Sequence, residues 1–434
     1  MSNINNKTVK WQTVPLGTIA DFRNGINYTK DNFGKGIKVI NVRDFQDHSI
    51  AAFDSLDEVE PTGIIKREDL LKKNDLIFVR SNGNRELIGR SLFIADIKEQ
   101  VTHSAFTIKL RFKSNKVFPR FYAYVLRSSL MRQTLSAQGN GTNISNLNQR
   151  ILSDLLVPFP PLPTQKKIAA ILSGYDDLIE NNTRRIKILE EMAQTLYHEW
   201  FVKFRFPGHE HTKMVDSELG LIPAGWEVRQ LSEVCQRITD GSHWSPKSVD
   251  QGYPMASVKD MSTWGLNVES CRKISEHDYE KLVRNDCKPL KNDILIAKDG
   301  NTYLKHMFVV QKEIDLVILS SIAIVRPNLD NILPYVLVLH LLYPPVKSRL
   351  KNYVSGAAIP RIILKDFAKF TIVVPSINIQ HKFFNIAEAM IKDCHCLIAK
   401  NSNLRQTRDL LLPKLISGEI DVEHLEITAE DIAA

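Results

Sequence analysis

Residues 164–200 read TQKKIAAILSGYDDLIENNTRRIKILEEMAQTLYHEW. Apolar side chains recur at steps of three and four: Ile168, Leu172, Tyr175, Ile179, Ile186, Leu189, Ala193, Leu196 and Trp200. That period is one stripe of an α-helix facing a partner helix. Asn182 interrupts the stripe, as a polar residue does where paired helices fix their register. At 1.5 Å per residue the helix is about 55 Å long. A helix with one dry face needs a cover. The chain offers one at residues 379–416, with a stripe of Phe383, Ala387, Met390, Cys394, Leu397, Asn401, Leu404, Arg408, Leu411 and Leu415. The core expected between the two comprises Ile168, Leu172, Tyr175, Ile179, Asn182, Ile186, Leu189 and Leu196 against Ala387, Met390, Cys394, Leu397, Asn401, Leu404, Leu411 and Leu415.

The two stripes also repeat one another. Ile168 and Phe383 stand 215 residues apart, and so do Gln165 and Gln380, Pro160 and Pro375, and Trp11 and Trp226. Lys73-Asn-Asp-Leu-Ile-Phe78 returns as Lys291-Asn-Asp-Ile-Leu-Ile296, and Asn82-Gly-Asn84 as Asp299-Gly-Asn301. A repeat of this length means one structural plan used twice. Scaffold residues recur while loops differ, which fits two domains doing one job on two targets.

The 434 residues are 43% hydrophobic, enough for two cores. A formal charge of +8 favours a polyanionic partner. Five scattered cysteines fit reduced thiols. MSNINNKTVKW at the N-terminus is too polar for a signal peptide, and no apolar run reaches bilayer length. A soluble, cytoplasmic protein without membrane attachment is expected.

Within the first half, strands are expected over Ile37–Val42 and at the end of Leu70–Val79, and a strand pair over Arg90–Asp96 and Ala105–Phe112. Asn24-Gly25 reads as a turn. Pro119–Gln138 reads as a helix with Tyr122, Val125, Leu126, Leu130 and Leu135 inward. The stretch rich in Pro and Gly before Trp226 reads as a linker. Short strands mixed with helices imply an α/β or α+β domain of about 150 residues.

The paired Lys-Asn-Asp strands with their Gly-Asn loops, and Leu155…Val-Pro-Phe-Pro-Pro-Leu-Pro-Thr-Gln165 leading into a long helix, resemble type I restriction–modification specificity subunits. So does the connector Phe204-Arg-Phe-Pro-Gly-His-Glu210 with Asp216-Ser-Glu-Leu-Gly-Leu-Ile-Pro-Ala-Gly-Trp226. The likeness runs from about Trp11 to Glu419. One departure is that Ile359-Pro-Arg361 is matched by Ile144-Ser-Asn146. The resemblance implies two pseudo-repeated globular target recognition domains separated by two long antiparallel coiled-coil helices. The domains would be residues 1–158 and 226–373, the helices 159–203 and 374–420, the linker 204–225 and the tail 421–434. It further implies binding of double-stranded DNA at a bipartite, asymmetric site, with one half-site per domain and the helices spanning about 15 base pairs.

The partners implied are two copies of a methyltransferase (modification) subunit, docked through helix faces carrying Lys166, Arg184, Glu190 and Arg405, and restriction/translocase subunits. S-adenosylmethionine, ATP and magnesium would belong to those partners, with no cofactor in this chain. The residues themselves agree with a non-catalytic adaptor. There is no GxxxxGK[ST] loop, and the two Pro-Pro pairs lack the flanks of an amino-methyltransferase. Gly34-Lys-Gly36 and Gly139-Asn-Gly141 read as plain turns. His209-Glu-His211 and Cys394-His-Cys396 each lack a second ligand pair, so no metal is expected.

Candidate DNA-binding residues are polar or basic side chains on the repeated loops. In the first domain they are Asn24, Asn27, Tyr28, Lys30, Asn41, Arg43, Arg80, Ser81, Asn82, Asn84, Arg85, Asn140, Thr142 and Asn143. In the second they are Thr239, Asp240, Ser242, His243, Trp244, Lys259, Lys298, Asp299, Asn301, Thr302, Tyr303, Lys305, Ser355 and Arg361. The alternative class is a coiled-coil interaction scaffold that binds no specific DNA sequence. Salt-dependent, sequence-selective binding separates the two.

Overall fold

The repeated Lys-Asn-Asp motif is a turn with a buried brace. Asn74 and Asn292 both take left-handed backbone, with φ of 73° and 74°. Asparagine tolerates that region better than most residues. The next residue, Asp75 or Asp293, is almost wholly buried. Each carboxylate accepts a backbone N–H at 2.7 Å, from Lys72 or from Leu290. Each also receives a bidentate arginine, Arg111 at 2.8 and 2.6 Å or Arg326 at 2.7 and 2.8 Å. A buried carboxylate needs such partners, because unpaired it would cost several kcal/mol.

The computed structural model describes residues 11–45, 49–61, 63, 65–82, 87–137, 147–356 and 360–426, with only the backbone described for Lys30, Ser136, Ala137 and Asn301. The chain divides into two compact units, Met1–Asn181 with Lys400–Ala434, and Asn182–Ala399. In the first, strands Ala20–Asn24, Thr107–Phe112, Leu76–Val79 and Ser91–Phe93 lie side by side in that order, all antiparallel. A second sheet places Phe33–Ile40 between Asp57–Val59, antiparallel, and Val101–His103, parallel. The second unit repeats both sheets. Cys235–Asp240, Ile322–Pro327, Ile294–Ala297 and Met307–Val309 form the first; Arg272–Ile274, Tyr253–Ala256 and Val317–Ile318 form the second. Each copy is a mixed α+β domain.

Several sequence expectations need correcting. Ser91–Phe93 and Thr107–Phe112 do not pair with each other. They flank Leu76–Val79, pairing with both its edges, and its four residues are all buried. The helix expected over Pro119–Gln138 is two helices, Pro119–Arg127 and Ser129–Ala137, broken at Ser128, and Leu130 is 55% exposed rather than inward. Asn24-Gly25 is no hairpin turn but a close crossing. A Cβ on Gly25 would stand 2.2 Å from the carbonyl oxygens of His103 and Ser104, and one on Gly241 would stand 2.2 Å from that of Ile318. Residues of the expected linker pack: Phe206 and Ile222 are buried with Trp226, and Met214–Val215 pairs with Ile222–Pro223.

The long helices run Leu162–Tyr197, continued by a π-helical turn His198–Val202, and Ile377–Ser417. Within each unit their segments pair antiparallel. In the first, Arg408 meets Asp176, and Asn401, buried, donates to the Ile179 carbonyl at 3.3 Å. In the second, the Cys394 thiol lies 3.9 Å from the Ile186 carbonyl and Phe201 packs edge-on to Phe383. Ile168, Leu172, Ile179, Ala193, Ala387, Cys394, Leu397 and Leu415 are buried, whereas Tyr175, Asn182, Ile186, Leu189, Leu196, Met390, Leu404 and Leu411 are half-buried. Ile391, Leu412 and Ile416 are buried as well, one position off the expected stripe.

Each long helix is anchored at its start by a fully buried glutamine. The Gln165 carbonyl accepts the Phe118 N–H at 2.8 Å, and its amide donates to the Lys116 and Pro160 carbonyls at 3.0 and 2.8 Å. Gln380 repeats all three bonds with Leu333, Asn331 and Pro375, at 2.8, 2.9 and 2.8 Å. That clamp ties the long helix to the cap of the helix beginning at Pro119 or Pro334.

Candidate nucleic-acid interface

In the first unit the candidate loops converge through backbone hydrogen bonds. The Arg80 N–H donates to the Phe106 carbonyl at 2.8 Å, the Ala105 N–H to that of Ile26 at 2.8 Å, and the Ser104 N–H to that of Ile40 at 3.0 Å. Residues 24–28, 41–43 and 80–81 therefore form one surface around the turn at Ala105-Phe106. Asn27 stands exposed there. Tyr28 donates to the Asn41 side chain at 2.7 Å. The Asn41 N–H donates to Asp44 at 2.7 Å, so Asn41 serves as a brace. Arg43 is 62% exposed, yet paired with Asp57 and, at 3.5 Å, with Asp44, which screens its charge within the unit. Ser81 and Asn82 are half-buried. Asn84, Arg85, Asn140, Thr142 and Asn143 lie outside the described residues.

Behind this surface His103 is fully buried. Thr107 donates its hydroxyl proton to the Ser104 carbonyl at 2.7 Å, so the 2.9 Å contact between His103 Nδ1 and Thr107 Oγ1 assigns the ring proton to Nδ1. Burial, aided by the charge of Lys109, pushes the imidazole down to about 3. Lys109 itself is buried, donating to the Glu68 and Leu70 carbonyls, and burial lowers it to about 8.

The second unit gathers its candidates around a charge chain. Lys298 lies 3.1 Å from Asp240 and 3.2 Å from Asp299, and Arg361 lies 3.2 Å from Asp299. With its side chain 4% exposed, Lys298 is an internal tie; its expected place on the reading surface is corrected. Ser242 is corrected likewise, being buried and hydrogen-bonded through Oγ to Trp244. His243 Nε2 lies 3.3 Å from Asp240. Trp244 is exposed with the Lys281 ammonium 4.4 Å from its ring centre, a cation–π contact the sequence did not signal. Arg361, Lys259 and Lys305 are exposed; Thr239, Thr302 and Tyr303 are half-buried, Tyr303 against the core. Ser355 is exposed beside Arg361, its strand partner.

Each unit also has a crease between its globular part and its helix segments. In the first it is lined by Arg127, Arg132, Asp176, Glu180, Arg405 and Arg408. In the second the equivalent positions are largely apolar, with Ala193, Trp264, Leu342, Tyr343 and Ile391. Among the described residues no group of three His, Cys, Asp or Glu side chains is placed to hold a metal ion, and no helix is long and apolar enough to cross a membrane.

One α+β plan is built twice, each copy presenting polar loops at the end of a braced sheet, which defines a two-module protein. The chain belongs to the type I restriction modification DNA specificity domain family, whose model matches residues 8–191 and again residues 223–412. It is 27% identical over 321 residues to the type I restriction enzyme MjaIX specificity subunit of Methanocaldococcus jannaschii, covering 71% of each chain. It is 24% identical over 437 residues to the EcoBI specificity subunit of Escherichia coli, covering 95% of this chain and 87% of that one. The crystal structure of a type I restriction-modification S subunit from M. genitalium shares the fold, with a TM-score of 0.53 at 16% identity over 96% of this chain and 98% of that one.

Proposed function

We propose that this chain supplies the DNA sequence specificity of a type I restriction–modification complex, binding a bipartite asymmetric site with one half-site per unit. It holds modification and restriction subunits on that site and performs no chemistry itself. S-adenosylmethionine, ATP and magnesium are assigned to those partners. The observation that carries the reading is a shared backbone with exchanged side chains. Gly25 and Gly241 make the same crossing, yet Ile26-Asn27-Tyr28 follows in one unit and Ser242-His243-Trp244 in the other. A scaffold kept constant under variable polar loops suits base-edge readout, where side chains specify and backbone contacts position. The two creases differ in chemistry, so a partner that docks twice uses the exposed helix faces instead.

The test is a map of methylated adenine in host DNA with the gene intact and deleted. A split motif that loses methylation on deletion supports the reading, and exchanging residues 226–373 for those of a relative then changes one half-site only. If no motif changes, and the complex binds DNA without sequence preference, the coiled-coil scaffold reading replaces this one.

A further inference from the structure

The most exposed aromatic ring on the first unit's candidate surface belongs to a residue the sequence reading passed over. Phe106 is 61% exposed. Its ring meets no other aromatic ring among the described residues, and it belongs to none of the buried clusters. Its backbone, by contrast, is held on several sides. The turn closes with the Thr107 N–H on the Ser104 carbonyl at 2.9 Å, and the Ala105 N–H donates to Ile26 at 2.8 Å. The Phe106 carbonyl accepts from the N–H groups of Arg80 at 2.8 Å and Ser81 at 3.3 Å.

The second unit makes the same turn without an aromatic residue. There the Ile322 N–H closes on Leu319 at 3.0 Å, the Ser320 N–H donates to Ser242 at 2.9 Å, and the Ser321 carbonyl accepts the Lys298 N–H at 2.9 Å. The position of Phe106 is taken by Ser321, whose hydroxyl accepts the Val258 N–H at 3.1 Å. The fold therefore does not require phenylalanine here. Isolated exposed apolar side chains are common on surfaces. This one is distinguished by a rigid turn, a position beside Arg80 and a serine at the equivalent place.

We propose that Phe106 is a specificity-determining residue of the first unit, its ring pressed against the apolar surface of a base in the first half-site. The inference rests on the reading of that unit as a DNA reader. DNA offers a ring two apolar surfaces: the thymine 5-methyl group in the major groove and the face of a base whose stacking has opened. Arg80 would contact a base edge or a phosphate alongside. Because the backbone is already fixed, the ring meets its target with little ordering cost.

The test uses the full chain in complex with its modification subunits and duplexes carrying the site mapped by adenine methylation. Phe106→Ala and Phe106→Ser, the latter installing what the second unit carries, should weaken cognate binding about tenfold. In the methylation map both should relax one position of one half-site and leave the other half-site unchanged. Thermal unfolding should not move, since the ring supports no core. Replacing thymines by uracil one at a time separates the two sources. If the methyl group is the contact, one uracil costs the wild type the same factor and the variants nothing further, and Phe106→Leu retains most of the affinity. If an opened base is the contact, 2-aminopurine at that step brightens on binding of the wild type but not of Phe106→Leu. Variants that bind and discriminate as the wild type does, with neither signal, overturn the inference and leave the DNA-reading assignment standing. A wild-type complex with no sequence preference overturns both.

Discussion

Replacing Gln380 with alanine removes one buried side chain and strands three backbone partners, of which Pro375 is buried and Leu333 and Asn331 are half-buried. The Leu333 N–H and the carbonyls of Asn331 and Pro375 lose hydrogen bonds of 2.8, 2.9 and 2.8 Å. A buried polar group left unpaired costs about 1–3 kcal/mol. The two carbonyls relax more readily than the N–H, which gives a total of about 4 kcal/mol. For a unit of this size each kcal/mol lowers Tm by about 2–4 °C, so the unfolding transition should fall by about 10 °C. Gln380→Met separates volume from hydrogen bonding, because it fills the space but bonds nothing, and it should recover less than half of the loss. Tryptophan fluorescence follows the transition, and hydrogen exchange at the Leu333 amide should accelerate in both variants. A shift under about 1 kcal/mol for alanine, or full recovery with methionine, would refute the clamp as the anchor of the second long helix.

Gln165→Ala should lower stability by a similar amount, read in hydrogen exchange at the Phe118 amide. Asn292→Ala should cost about 1 kcal/mol in denaturant unfolding, because its φ of 74° is left-handed, whereas Asn292→Gly should be close to neutral. Gly241→Ala should cost at least about 1–3 kcal/mol, since its Cβ would stand 2.2 Å from the Ile318 carbonyl oxygen and backbone must move. His103 imposes a pH dependence of definite sign. Its folded value lies near 3, so above its ordinary 6.5 neither state is protonated and no penalty arises. As pH falls from 6.5 toward 3 the unfolded chain takes up a proton that the folded one refuses, and stability drops by about 1.4 kcal/mol per pH unit. Urea midpoints between pH 7 and 5 should fall with this sign, the slope steepening below 6.5. His103→Gln should remove the share of His103 and leave that of His340, whose buried ring is likewise lowered, to about 4.

Much of the scaffold was legible because its signals are local and occur twice. The stripe of Ile168, Leu172 and Ile179 comes from helical period alone, and a motif such as Lys-Asn-Asp stands out once it recurs. Its reason was not legible, since the arginines that brace Asp75 and Asp293 arrive from strands more than thirty residues away. Strand order was missed because the period within a strand says which face is buried and nothing about neighbours. The segment ending at Trp226 looked like a linker because turn-forming residues dominate it, while its few aromatic residues do the packing. On the candidate surface, residue type pointed to Lys298 and Ser242 as readers. Burial turned both inward, and the exposed Phe106 was overlooked because an apolar residue in a short turn carries no polar signal.

The bidentate brace in each unit makes the molecule its own control. Asp75→Asn and Asp293→Asn are the same chemical change to the same local geometry, made in one polypeptide under one set of conditions. Their arginine partners differ in exposure, 31% for Arg111 and 22% for Arg326. The difference between the two measured losses therefore reports what the surroundings contribute to an ion pair, here water access together with the further 3.0 Å bond that Arg111 donates to the Leu70 carbonyl, free of the variation that separate proteins introduce. Few chains permit that subtraction without engineering. Here a doubled plan supplies it.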